Sequence, residues 1–339
     1  MSVSFVVTVI LVLGVVFVNG WTDAPNAIAT AVSTRVLRPR PAIVLSAVFN
    51  CLGALFMTAV NARVAFTISN LVDFGEAAGG RASVALAAAL VAIVVWAVGA
   101  WYFGIPTSES HALIAGVTGS AMALGGFSSV NGGEWIKVVQ GLVLSSVIGF
   151  AFGFLATKLI MIVCRHLDRR RANRFFSRGQ VAGAAAMSFL HGAQDGQKFM
   201  GVFMLALFLN GHAMRAPDGG FAMPLWVILL CSLVMGLGTS IGGYRIIKAV
   251  GMDMVKLEKY QGFAADLSAA ICLLFASLTG IPVSTTHTKT TAIMGVGIAN
   301  RRRSVDFSVV RDMFVAWVLT FPGCGLIGYL TSLLFIKVF

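Results

Sequence analysis

The chain has 339 residues, 58% of them apolar and only 11% charged, with a mean hydropathy of +0.89. A soluble domain carries charge on about a quarter of its residues, so that class is excluded and the expected solvent is a lipid bilayer. The net charge of +12 would suit nucleic acid, but the basic residues sit in short connections between apolar runs, where they set topology, and no nucleic-acid partner is expected.

The first apolar run, 2–17, has no charged leader and continues through Asp23 and Asn26 without a small-residue cleavage signal, so it reads as a retained helix. Runs follow at 42–60, 82–102, 135–163, 224–242 and 309–336, each meeting or approaching the ~20 residues that cross a hydrocarbon core. Cys51, Cys164, Cys231, Cys272 and Cys324 are scattered, with no disulfide or metal spacing. The 37 glycines suit close helix packing and broken helices. Basic connections lie at 35–40, 165–178, 245–259 and Arg301-Arg302-Arg303; the charge-poor ones lie at 61–80, 125–133 and 211–221. The positive-inside rule puts the basic set in the cytoplasm. The N-terminus is then outside, the first helix runs inward, and a helix near 181–209 runs outward.

The sequence repeats itself within this layout. Gly20-Trp21-Thr22-Asp23-Ala24-Pro25-Asn26 recurs as Gly192-Ala193-Gln194-Asp195-Gly196-Gln197-Lys198, and Gly104-Ile105-Pro106-Thr107-Ser108-Glu109-Ser110-His111 recurs as Gly280-Ile281-Pro282-Val283-Ser284-Thr285-Thr286-His287. The offset is 172 from Asp23 to Asp195 and 176 from Pro106 to Pro282. Two copies follow, 1–164 and 180–339, joined by a basic cytoplasmic linker at 165–179. Since the first Asp lies on a helix running inward and the second on one running outward, the expected fold is an all-α polytopic membrane protein built from two inverted-topology repeats. Each Pro-Ser-His motif lies between two apolar stretches, the second short for a span, so a re-entrant helical hairpin with a polar tip is expected in each copy. Two full spans per copy would give the same loop sidedness.

The motifs suggest chemistry. Pro followed by Ser or Thr after Gly reads as a helix break and a new start, where free N–H groups and hydroxyls attract an oxyanion such as phosphate without base chemistry. Ser108, Ser110, Ser284, Thr285 and Thr286 are therefore candidate anion ligands if the tips meet. Asp23 and Asp195 are ionisable groups inside spans, which usually mark an ion pathway. Beside an anion each needs a proton or a cation, which is the argument for symport, and Asn26 can serve either ion. Lys198 either faces the anion or neutralises Asp195 three residues earlier. His111 and His287 either pack across helices or support the site. Glu109 and Lys289 stand beside opposite tips and are expected to pair across the pseudo-two-fold.

Through Asn19-Gly20-x-x-Asp23-x-x-Asn26-Ala27 with Ser33-Thr34-Arg35, His191-Gly192-x-x-Asp195-x-Gln197-Lys198, Gly242-Gly243-Tyr244-Arg245 and Pro282-Val283-Ser284-Thr285-Thr286-His287, the chain resembles the inorganic phosphate transporter (PiT) family over nearly its whole length. The resemblance implies phosphate uptake driven by Na+ or H+, with no other cofactor, a homodimeric scaffold in the cytoplasmic membrane and an elevator-like movement. It makes Asp23, Asn26, Asp195 and the tip Ser and Thr residues the expected ligands of phosphate and the coupling cation, and no enzyme activity is expected. Glu109 departs from the family pattern, which has threonines between Ser and His, and joins the candidate coupling-ion groups. Alternatives are a carrier of sulfate or another tetrahedral oxyanion, a membrane-embedded lipid-phosphate phosphatase using Ser and His, and a passive channel.

Overall fold

The computed structural model of the chain describes residues 3–75, 80–215, 220–300 and 305–339, so Arg301, Arg302 and Arg303 lie outside the described residues, as do 76–79 and 216–219 of the charge-poor loops. The first half contains α1 (Val3–Thr22), a 3-10 turn (Ala24–Ile28), α2 (Ala29–Ser33), α3 (Pro39–Val60), α4 (Arg63–Ser69), α5 (Gly80–Phe103), α6 (Glu109–Gly125) and α7 (Gly132–Val163). The second contains α8 (Arg169–Leu209), α9 (Leu225–Ile241), α10 (Tyr244–Lys248), α11 (Lys259–Thr279), α12 (Thr285–Asn300) and α13 (Phe307–Val338). Among the described residues seven helices are long and apolar enough to cross a membrane, and α9 with the segment after it, bent by 67°, supplies an eighth if counted as one span.

The order of elements repeats: a long helix carrying the Gly-x-x-Asp motif, a second helix, a short helix, a hairpin and a final helix of 32 residues, α7 or α13. Contacts between helices fix their directions. Phe17 meets Gly238 and Trp21 meets Gly243, so α1 and α9 run together. Ser46 meets Ser188 and Asn50 meets His191, so α3 runs with α8. Gly183 touches Asp266 and Gln194 bonds Ser277, so α11 also runs with α8. Gly141 abuts Pro282 and Gly153 abuts Ala292, which aligns α7 with α12; Ala112 meets Cys324 and Ser120 meets Gly328, which aligns α6 with α13. Trp96 against Gly323 and Ala88 against Thr331 make α5 antiparallel to α13. Phe5 against His212 and Asn19 on Asp195 make α1 antiparallel to α8, so the long helices of the second half run opposite to their counterparts. The halves are also interlocked, since each 32-residue helix packs on the other half's second hairpin arm.

The charge-poor loops gather at one end, where Val72 bridges Val130 and Asp73, Asn131, Gly211 and Arg215 line a common cavity of about 680 Å³. Residues of the basic connections pack at the other end, where Gly251 sits against Ala29 and Ser33. Only 17% of the apolar window of α7 is buried, against 61% for α5, so α7 presents its Val, Leu and Ile side chains to lipid while α5 lies inside. One expected boundary moves. The helix expected near 181–209 begins at Arg169, because the Asp168 carboxylate accepts the Arg171 amide at 3.1 Å and caps a start inside the basic linker.

Candidate functional site

Asp23 sits at a break. Regular helix ends at Thr22, and Pro25, which has no N–H to continue it, opens the 3-10 turn. The Asp23 carboxylate caps no amide. Its Oδ1 instead accepts Asn26 Nδ2 at 2.6 Å and Thr286 Oγ1 at 2.5 Å, and its Oδ2 lies 3.4 Å from Thr285 Oγ1. Position 197, equivalent to Pro25, is Gln, so α8 passes unbroken through Asp195.

Both hairpins turn in the same way. Gly104 and Gly280 end the first arms with φ of +70° and +78°, a left-handed conformation that costs glycine nothing. The second arms then start on serine: Ser108 Oγ accepts the His111 amide at 3.3 Å and Ser284 Oγ accepts the His287 amide at 3.1 Å. The second arms, 17 and 16 residues, are shorter than the first, 24 and 21. Their first turns, beginning where the chain has returned into the interior, carry Ser110, Thr285 and Thr286 to the aspartates.

Thr285 joins the two halves, with its hydroxyl 3.2 Å from Asp195 Oδ2 as well as 3.4 Å from Asp23 Oδ2. Asp195 also receives Ser110 Oγ at 3.3 Å, Asn19 Nδ2 at 3.4 Å and Lys198 Nζ at 2.6 Å, while His191 Nε2 lies 3.3 Å away. Lys198 further donates to Ser110 Oγ at 2.7 Å and to the Val283 carbonyl at 2.5 Å, which ties the two tips together. Asp23, Asn26, Ser108, Glu109, Ser110, Asp195, Lys198, Ser284, Thr285 and Thr286 are all exposed by 3% or less. The centre is closed to both ends of the molecule. The structure thus brings Asn26, Ser110, Thr285, Thr286 and both aspartates together in one buried centre, holds Ser108 and Ser284 as caps of the second arms, and gives Lys198 to Asp195.

Glu109 and Lys289 do not pair. The Lys289 ammonium bonds Asp266 on the other arm of its own hairpin and reaches Thr30 Oγ1 at 3.2 Å; Thr30 in turn donates to Asp266 Oδ1 at 2.6 Å. The reason is tertiary: Lys289 lies a full turn beyond Thr285, and the packing of α12 against α11 and α2 sets that turn beside Asp266 and Thr30. Glu109, equivalent to Thr285 in the inverted copy, lies buried beside Asn19, where it lines a small cavity with Trp101 and Pro106, and its Oε2 has no hydrogen-bond partner among the described residues. His111 and His287 meet edge to face behind the tips at 4.5 Å, His111 stacked on Phe321 and His287 on Trp317. Among the described residues neither ring nitrogen of His287 has a partner, so its contacts are those of a packing side chain.

Asn19 and His191 entered the sequence reading only within the motifs that begin with them, and Asp266 escaped it. Asn19 and His191 each precede an aspartate by four residues, one helical turn, and are themselves 172 residues apart; that spacing was the available signal. Asp266 is a carboxylate inside an apolar run, a signal of the same kind as Asp195. Oxygen and nitrogen atoms of Asp23, His191 and Asp195 lie within 4.8 Å of one another, close enough to share a cation.

A family model described as the phosphate transporter family matches the chain twice, over residues 19–169 and 163–328. The chain belongs to the phosphate transporter family. A Bacillus subtilis protein named "Probable low-affinity inorganic phosphate transporter" is 38% identical over 331 residues, covering 97% of each chain. A protein of the same name from Rhizobium meliloti is 40% identical over 318 residues, 93% of this chain and 91% of its own. A solved structure titled "The sodium-dependent phosphate transporter" superposes with a TM-score of 0.90 over 100% of both chains at 22% identity, which establishes the common fold. These relatives are named as transporters and not as enzymes, and the chain is accordingly a multi-pass membrane protein of a transporter family.

Proposed function

We propose that the chain is a secondary active transporter that moves inorganic phosphate across the cytoplasmic membrane together with Na+ or H+. The observation that carries this reading is the meeting of both aspartates on one hydroxyl, Thr285 Oγ1, inside a chamber walled by the hydroxyls of both hairpin tips. An anion entering there finds Ser110, Thr285, Thr286 and Lys198 as donors, while Asp23, a carboxylate without an ion-pair partner among the described residues, supplies the seat for a cation that offsets its charge. A P–OH hydrogen also finds a carboxylate acceptor, which favours phosphate over sulfate.

Closure of the chamber on both sides supports alternating access, and the two inverted, interlocked halves support an elevator-like movement of the Asp- and tip-bearing helices against α7 and α13 in a homodimer. In this reading the repeats divide at the basic segment 165–179, the basic end faces the cytoplasm and the N-terminus is outside. The test is uptake of labelled phosphate into proteoliposomes under imposed Na+ or H+ gradients. Wild type accumulates phosphate with one of the gradients, and Asp23→Asn and Asp195→Asn abolish accumulation; gradient-independent equilibration, or accumulation of sulfate in preference, overturns the reading.

A further inference from the structure

The two inverted half-sites share one corner, in which an aspartate and a hydroxyl of the opposite tip are joined by a third side chain, and that third side chain differs in charge. In the first, Asn26 Nδ2 donates to Asp23 Oδ1 at 2.6 Å and lies 3.3 Å from Thr286 Oγ1 of the opposite half's tip. In the second, Lys198 Nζ donates to Asp195 Oδ1 at 2.6 Å and to Ser110 Oγ, again of the opposite half's tip, at 2.7 Å. Asn26 and Lys198 are 172 residues apart, as are Asp23 and Asp195, and Ser110 and Thr286 are separated by the hairpin offset of 176. The same three-residue corner is therefore built twice, once closed by a neutral amide and once by an ammonium.

The ammonium sits in an oxygen cage. A carboxylate, a hydroxyl and the Val283 carbonyl lie at 2.6, 2.7 and 2.5 Å from Nζ, the hard oxygen donors that a small cation takes. The amide corner lacks any such charge. Among the described residues Asp23 makes no ion pair, and the Asn26 Oδ1 atom beside it is buried without a partner. This is an acceptor oxygen still open to an incoming cation.

We propose that Lys198 is a built-in replacement for one coupling cation: its tethered ammonium fills the cation seat of the second half-site, so that only the Asp23 half-site takes up a cation with each phosphate. Resting on the symport reading above, the inference adds its stoichiometry and the residue that sets it. The chain moves one cation fewer per phosphate than a site with an amide in both corners.

The test measures phosphate binding to purified protein as a function of Na+ and of pH, the slope of log(1/Kd) against log cation activity counting the cations bound with the anion. Lys198→Asn, which copies the first corner into the second, is expected to raise that slope by one, so that affinity gains a further factor of about ten for each tenfold rise in the driving cation. Lys198→Arg, which keeps a tethered charge, is expected to keep the wild-type slope. A Lys198→Asn slope equal to wild type, or a raised slope in Lys198→Arg, overturns the proposal. Wild type that binds no phosphate under any cation condition would instead overturn the symport reading itself, so the two failures are distinct. A proteoliposome assay of the charge moved per phosphate gives the second measurement, expected to rise by one elementary charge in Lys198→Asn and overturning the proposal if it is unchanged.

Discussion

The Asp266–Lys289 pair offers a quantitative test because the fold contains its own control. Both side chains are fully buried, joined to each other and to Thr30 between the arms of the second hairpin and α2. Removing one partner strands a charge in a place that water does not reach, which costs about 3–5 kcal/mol. Asp266→Asn or Lys289→Met alone is therefore expected to destabilise the protein by that amount. Replacing both by leucine is different. The inverted hairpin carries Leu90 and Leu113 at the equivalent positions, each 176 residues earlier, and both are buried in one apolar cluster. The same arm packing thus tolerates an apolar pair of similar volume, and Asp266→Leu with Lys289→Leu is expected to fall within about 1.5 kcal/mol of wild type. Thermal and denaturant unfolding in detergent, followed by loss of monodispersity, reads both outcomes. A double variant no better than the singles would refute the argument that the pair is an internally neutralised structural contact, and would turn attention to a role for its charges in transport.

The remaining expectations concern the centre and its turns. Thr285→Val keeps volume but removes the hydroxyl shared by both aspartates; at 3.2 and 3.4 Å these are long bonds, so the loss is taken as about 1.5 kcal/mol, or about tenfold in apparent phosphate affinity. Thr290→Val, at a buried hydroxyl with no partner, is the control and is expected to leave uptake and stability unchanged, as measured by initial rates over a phosphate concentration series. Gly280→Ala puts a Cβ 2.6 Å from Arg63 Cβ at a φ of +78° and is expected to lower stability by about 1 kcal/mol or more, whereas Gly99→Ala, in α5 with open space around it, is expected to be neutral or stabilising by thermal unfolding. His287→Phe removes two unpartnered ring nitrogens while keeping the stack on Trp317, so uptake is expected to survive with an unchanged pH profile; its loss would give the imidazole a polar role.

Much of this molecule is written along the chain. Hydropathy marks the spans, loop charge sorts the connections to two ends, and the recurrence of Gly-x-x-Asp and Gly-Ile-Pro fixes both the duplication and, through the number of crossings between copies, its inversion. These are one-dimensional properties, since each depends on composition and spacing within a segment. Serine caps at Ser108 and Ser284 were legible for the same reason: they act on amides three residues away.

What the chain order does not carry is azimuth. Whether Lys289 turns toward Glu109 or toward Asp266 depends on how α11, α12 and α2 rotate against one another, and a buried ammonium goes to whichever carboxylate that packing presents. The same applies to Lys198, which only the approach of the Ser110 hydroxyl and the Val283 carbonyl makes into the centre of an oxygen cage, and to Asn19 and His191, which matter because α1 and α8 bring them onto one carboxylate. Sequence alone determined that two inverted units would each bring an aspartate and a proline-led turn into the bilayer. Tertiary packing alone decided which charges are already matched there and which one is left facing the chamber, because inside a low-dielectric interior the partner of a charge is set by a few ångströms of helix placement.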